Sequence, residues 1–121
     1  MKKGCDYMIL DKELKDILDK LSESLAVVYG SKLKSIILYG SVAKGTATLE
    51  SDIDIMVLVD LSAKELKQYQ DKLSDVSTDF ALEYLKVFSI IDVCYAEFSE
   101  WKQVSPFYRN VANEGVVLYA A

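Results

Sequence analysis

Apolar residues recur at Leu14, Ile17, Leu18, Leu21, Leu25 and Val28, three or four apart along the chain. That spacing places them on one face of a helix. Asp11 offers an N-cap before the run and Gly30 a stop behind it. The pattern then changes. Residues 35–39 read SIILY, a short apolar run bounded by Gly40 and fit for a buried strand. Residues 52–59, DIDIMVLV, predict a second strand. Ser62 and Glu65 have the spacing of a capping box, and Leu66, Tyr69, Leu73, Val76 and Phe80 carry one long helical pattern behind it. A third strand is expected over residues 87–95, VFSIIDVCY. Ser105 and Pro106 open another helix, Gly115 ends it, and residues 116–119 form a short last strand. The order is helix, strand, loop, strand, helix, strand, helix, strand, which predicts a single α/β or α+β domain over residues 1–121.

Composition narrows the chemistry. The chain has 121 residues, enough for one ordinary core and too few for two. Hydrophobic residues at 51% and charged residues at 27% describe a globular chain. Lys and Arg number 14 against 19 Asp and Glu, a net charge of −5, and no basic cluster stands out. A long nucleic-acid partner is therefore disfavoured. The chain has no histidine, which removes zinc sites built on His and every Ser-His or Cys-His nucleophile pair. Cys5 and Cys94 lack metal-ligand spacing. The opening MKKGCDYMILDKEL turns charged too early for a signal peptide, and no segment reaches the length of a membrane span. These features predict a soluble, cytoplasmic protein with reduced thiols and no membrane partner.

The chemistry concentrates in YGSVAKGTATLESDIDIMV, residues 39–57. Side chains of a strand alternate, so Asp52 and Asp54 share one face while Ile53, Ile55, Val57 and Val59 point the other way. Two carboxylates this close repel, and a divalent cation relieves the repulsion. Mg²⁺ prefers hard oxygen ligands, commonly one or two carboxylates plus substrate phosphates. Asp92 is a lone acid in the apolar run SIIDVCY and is the expected third member. Three acids on adjacent strands could hold two Mg²⁺ ions roughly 3.5–4 Å apart, as in-line phosphoryl transfer requires. Gly40 has no Cβ, so phosphate could approach its backbone. If Ser41 opens a short helix, its N–H groups and hydroxyl would face an anion, and Lys44 could add a charged contact.

Gly40-Ser41, ten residues, then Asp52-Ile53-Asp54 resembles the G-S-x10-D-x-D signature of the DNA polymerase β-like nucleotidyltransferase superfamily. GSVAKG, SDIDIMV and the closing EGVVLY look like its minimal nucleotidyltransferase (MNT) group, and the likeness covers most of the chain. The resemblance implies a nucleotidyltransferase fold, a small mixed β-sheet flanked by helices. It also implies that Asp52, Asp54 and Asp92 bind Mg²⁺ and that Ser41 contacts the phosphates of ATP. Lys44 stands where the family commonly has arginine. In the group, such chains are antitoxins paired with HEPN-domain toxins, whose tyrosine receives AMP.

Plainer readings stand beside these. The aspartates could cap a loop in solvent, Gly40 could serve a turn, and Lys44 could be a solvated cation. Glu97 rivals Asp92 for the third acid but falls past the apolar run, in an expected loop. Cys94 reads as a small buried thiol, and Tyr95, Trp101, Phe107 and Tyr108 as core or interface residues. The function expected is Mg²⁺-dependent transfer of AMP from ATP to a hydroxyl of a HEPN-type toxin. The alternative is an antitoxin that masks its partner by binding alone. A small-molecule transferase would need a deep pocket, for which few residues remain.

Overall fold

The computed structural model describes residues 12–48 and 51–121. The Asp11 cap, Cys5 and the charged N-terminal run expected from sequence lie outside those residues. Helix α1 (Lys12–Tyr29) buries Ile17, Leu18, Leu21, Leu25 and Tyr29, the face its spacing predicts, and a 3₁₀ turn over Gly30–Lys32 follows. Strand β1 (Leu33–Tyr39) leads straight into a five-residue helix, α2 (Gly40–Lys44), and strand β2 (Ile53–Val59) returns beside β1. Helices α3 (Ala63–Leu66) and α4 (Gln70–Tyr84) cross to strand β3 (Phe88–Cys94). Helices α5 (Tyr95–Trp101) and α6 (Pro106–Glu114) precede strand β4 (Val116–Ala120).

The strands form one mixed sheet in the order β3-β2-β1-β4. Strand β1 is antiparallel to β2 and to β4, whereas β2 and β3 run parallel. A parallel pair needs a crossover, and α3 with α4 supplies it. Both faces of the sheet are covered, which is why β2 reads as a nearly continuous apolar run. On one face, α1 and α4 pack over Ile36, Leu38, Ile53, Ile55, Val57, Val59 and Phe88. On the other, Phe98 of α5 and Val111 of α6 pack over Ile37, Met56 and Leu58. Among the described residues, no helix is long and apolar enough to cross a membrane.

Three expectations change. The long helix after Ser62 is broken, because a 3₁₀ turn over Lys67–Tyr69 separates α3 from α4. That break lets Tyr69 stack on Tyr29, with ring centroids 5.1 Å apart. Tyr95 leaves the third strand to open α5, so Glu97 is helical rather than in a loop. Tyr95, Trp101 and Phe107 are 44%, 50% and 45% exposed, so of the two expected roles, core or interface, they do not take the core one.

Candidate active site

The Gly-Ser turn and the first acidic strand meet by way of register. Tyr39, the last residue of β1, is the cross-strand partner of Asp54 on β2. The chain turns at Gly40, whose φ of 76° lies in the left-handed region that L side chains rarely adopt. A Cβ on Gly40 would collide with the Asp54 carboxylate, so only glycine lets β1 pass into α2 at this distance. Ser41 is the second residue of α2 and is partly buried. Gly45, again at positive φ, donates its N–H to the carbonyls of Ser41 and Val42 and closes the turn.

Asp52 lies just before β2 and is exposed, while Asp54 is partly buried within the strand. Burial pushes the Asp54 carboxyl above its ordinary value, and the charge of Asp52 pushes it further the same way. The two acids are therefore close enough to feel each other. Tyr39 shares this face. Its phenol is also raised, by burial first and by Asp54 second, and its ring meets Phe107 of α6 edge-on at 5.6 Å. A shallow cavity of about 170 Å³ adjoins the turn, lined by Tyr39, Gly40, Lys44, Phe107, Asn110, Val111 and Glu114. Lys44 points its ammonium to Glu114, 3.0 Å away, so its charge is shared with α6.

Asp92 is not brought to this site. In the parallel pair, Asp54 sits beside Ser89, and Asp92 sits beside Val57. Val57 belongs to the face covered by α1, so Asp92 projects there too, on the side of the sheet opposite Asp52 and Asp54. Its partners agree. The Tyr29 hydroxyl donates to Asp92 Oδ2 at 2.7 Å, and Gln70 Nε2 contacts both carboxylate oxygens at 3.1 and 3.2 Å. The expected convergence of three acids is thus corrected: Asp92 ties α1 and α4 to the sheet. Period two within FSIIDVC already links Asp92 with Phe88 and Ile90. Because Ile91 and Val93 are apolar as well, only the pairing with β2 reveals which set faces the site.

The oxygen donors of Asp52 and Asp54, beside an open glycine turn, suit one hard cation shared with phosphates. They do not suit the two-ion set expected from sequence. Among the described residues, no three His, Cys, Asp or Glu side chains group together to hold a metal ion. No local sequence signal marks Tyr39 and Ser89 as neighbours of Asp54, or Phe107 as a neighbour of Tyr39, since each owes its place to strand register or helix packing.

Comparison with known proteins supplies the family. A family model described as a nucleotidyltransferase domain matches residues 11–118. A Methanocaldococcus jannaschii protein, named as a candidate protein adenylyltransferase, is 36% identical over 109 residues, or 90% of this chain and 97% of that one. A second protein from that organism, named likewise, is 36% identical over 80 residues, 66% of this chain and 52% of its own length. Among solved structures, a toxin–antitoxin with AMP-PNP matches with a TM-score of 0.53 at 20% identity, over 85% of this chain and 73% of that one. A mutant of a toxin–antitoxin named MntA-HpeT matches with a TM-score of 0.56 at 19% identity and the same coverage. At such identities the structural likeness speaks for the fold alone.

Proposed function

The chain belongs to the nucleotidyltransferase domain family, and from that premise we propose that it transfers AMP from ATP to a hydroxyl of a partner protein. The observation that carries the reading is the contact of Gly40 with Asp54, which sets a Cβ-free turn against a pair of carboxylates. In this reading the backbone of Gly40 and Ser41 receives the β- and γ-phosphates, and Lys44 reaches them only by leaving Glu114. Asp52 and Asp54 would hold Mg²⁺ against the phosphates, where it would neutralise charge on the α-phosphate and the departing pyrophosphate. The acceptor oxygen bonds to the α-phosphorus as the bond to the β-phosphate oxygen breaks, and the hydroxyl proton passes to solvent. Pyrophosphate leaves.

The acceptor favoured is a tyrosine of a HEPN-type toxin, and the chain acts as its antitoxin. The names of the relatives, protein adenylyltransferases, support a protein acceptor. The chain has no histidine to serve as general base. A phenol, with a pKa of about 10, gives up its proton far more readily than an aliphatic hydroxyl, so it suits a site without a strong base. ATP as donor places the reaction in the cytoplasm. The test is to incubate the chain with the protein encoded beside it, Mg²⁺ and α-labelled ATP. Label on the neighbour supports transfer, and its loss with Asp54→Asn assigns the reaction to this site.

The displacement of Asp92 favours a second reading, an antitoxin that neutralises by binding alone. Under that reading, Asp52→Asn and Asp54→Asn leave neutralisation intact and no label appears. Neutralisation lost together with labelling would leave transfer as the function.

A further inference from the structure

The site just proposed has an unequal supply of ligands. An ion on the leaving-group side can draw on the phosphates of the nucleotide as well as on protein carboxylates. An ion on the attacking side could draw on the nucleotide only through an α-phosphate oxygen and would depend more on the protein. Strand β3 is where the extra carboxylate would have to come from, since it is the parallel neighbour of the strand bearing Asp54. Its residues on the carboxylate face alternate with Phe88 and Ile90, which belong to the opposite face. They are Ser89, Ile91 and Val93, with Val87 just before the strand in the same phase. None is an acid. Ser89 is the register partner of Asp54 itself, so it stands roughly 5 Å away across the sheet. On the other flank, β1 contributes Tyr39 and Ile37 to this face.

We infer that this chain holds one divalent cation per bound nucleotide rather than two, and that Ser89 occupies the position from which a third carboxylate would complete a second site. The inference rests on the nucleotide-binding reading above and goes beyond it by fixing the metal count and naming the residue that limits it. Two ions at the usual separation bring four positive charges, and Asp52 and Asp54 return only two negative ones on the protein side. A carboxylate at residue 89 would add a third negative charge on the side that the β- and γ-phosphates do not reach. Asp92 adds none, since Tyr29 and Gln70 hold it beyond the sheet.

Equilibrium dialysis of the full chain with Mn²⁺ and a non-hydrolysable ATP analogue counts the ions directly, without any acceptor or turnover. Wild type, Ser89→Asn and Asp92→Asn should each retain one Mn²⁺ per bound analogue. Ser89→Asp should retain two. Wild type retaining two ions overturns the inference while leaving nucleotide binding standing. So does Asp92→Asn losing its ion, or a folded Ser89→Asp that keeps the analogue and stays at one. If wild type retains no analogue at any Mn²⁺ concentration, the nucleotide-binding reading fails and the inference goes with it. Should Ser89→Asp not fold, the wild-type count still decides.

Discussion

Two single residues carry most of the local consequence. Gly40 combines positive φ with contact against Asp54. Gly40→Ala should cost about 1–2 kcal/mol from backbone strain alone and also push the carboxylate aside. The expected outcome is a modest fall in melting temperature with a much larger fall in label transfer. Tyr29 is 3% exposed and donates to Asp92. Losing a hydrogen bond to a charged group should make Tyr29→Phe about 2 kcal/mol less stable in a denaturant titration near neutral pH. Its pH response has a definite sign. Burial first, then the bond to Asp92, holds the phenol well above its ordinary value of 10.0. The folded chain therefore keeps a proton that the unfolded chain releases. The stabilisation is whole below about pH 10 and is lost as the pH climbs above that value. Tyr29→Phe should flatten this alkaline decline; an unchanged slope would show that Tyr29 does not titrate with unfolding.

At the level of elements, the capping signals are local and the breaks are not. Ser62 accepts from the Glu65 N–H at 3.1 Å while the Glu65 side chain accepts from the Ser62 N–H at 3.0 Å, so α3 starts where its four-residue motif says it must. Ser62→Ala should cost about 1 kcal/mol, read as a lower denaturation midpoint with an unchanged slope. Ser105 caps α6 in the same way by accepting from the Tyr108 N–H. No comparable local signal marks the turn between α3 and α4. There Gln70 donates both to the Leu66 carbonyl and to Asp92, a residue of another element.

The molecule as a whole is a sheet with helices on both faces and a site at the start of β2, where the chain passes from β1 into α2. Ligand that binds only the folded chain adds stability by mass action. At a hundredfold excess over its dissociation constant, ATP with Mg²⁺ should add about 2.7 kcal/mol, a rise in melting temperature on the order of ten degrees. Asp54→Asn should abolish most of that rise, and Asp92→Asn should leave it in place while lowering the ligand-free melting point. A wild-type chain that shows no shift would point to binding-only neutralisation.

Much of this was legible in one dimension. The apolar face of α1, both caps, the four strands and the close pairing of Asp52 with Asp54 follow from interactions that span a few residues. Periodicity and side-chain chemistry encode those directly. The position of Asp92 could not be read that way. A strand buried on both faces has no polar phase to reveal its orientation, so the side that a lone acid takes depends on which residue of β2 lies next to it. The pairing of Val57 with Asp92 and of Asp54 with Ser89 is a product of the crossover through α3 and α4. The sequence by itself determined the apolar face of α1, the four strands, the two caps and the pair of acids at the start of β2. Tertiary structure decided that the third acid would serve the helices and that a serine would stand beside Asp54.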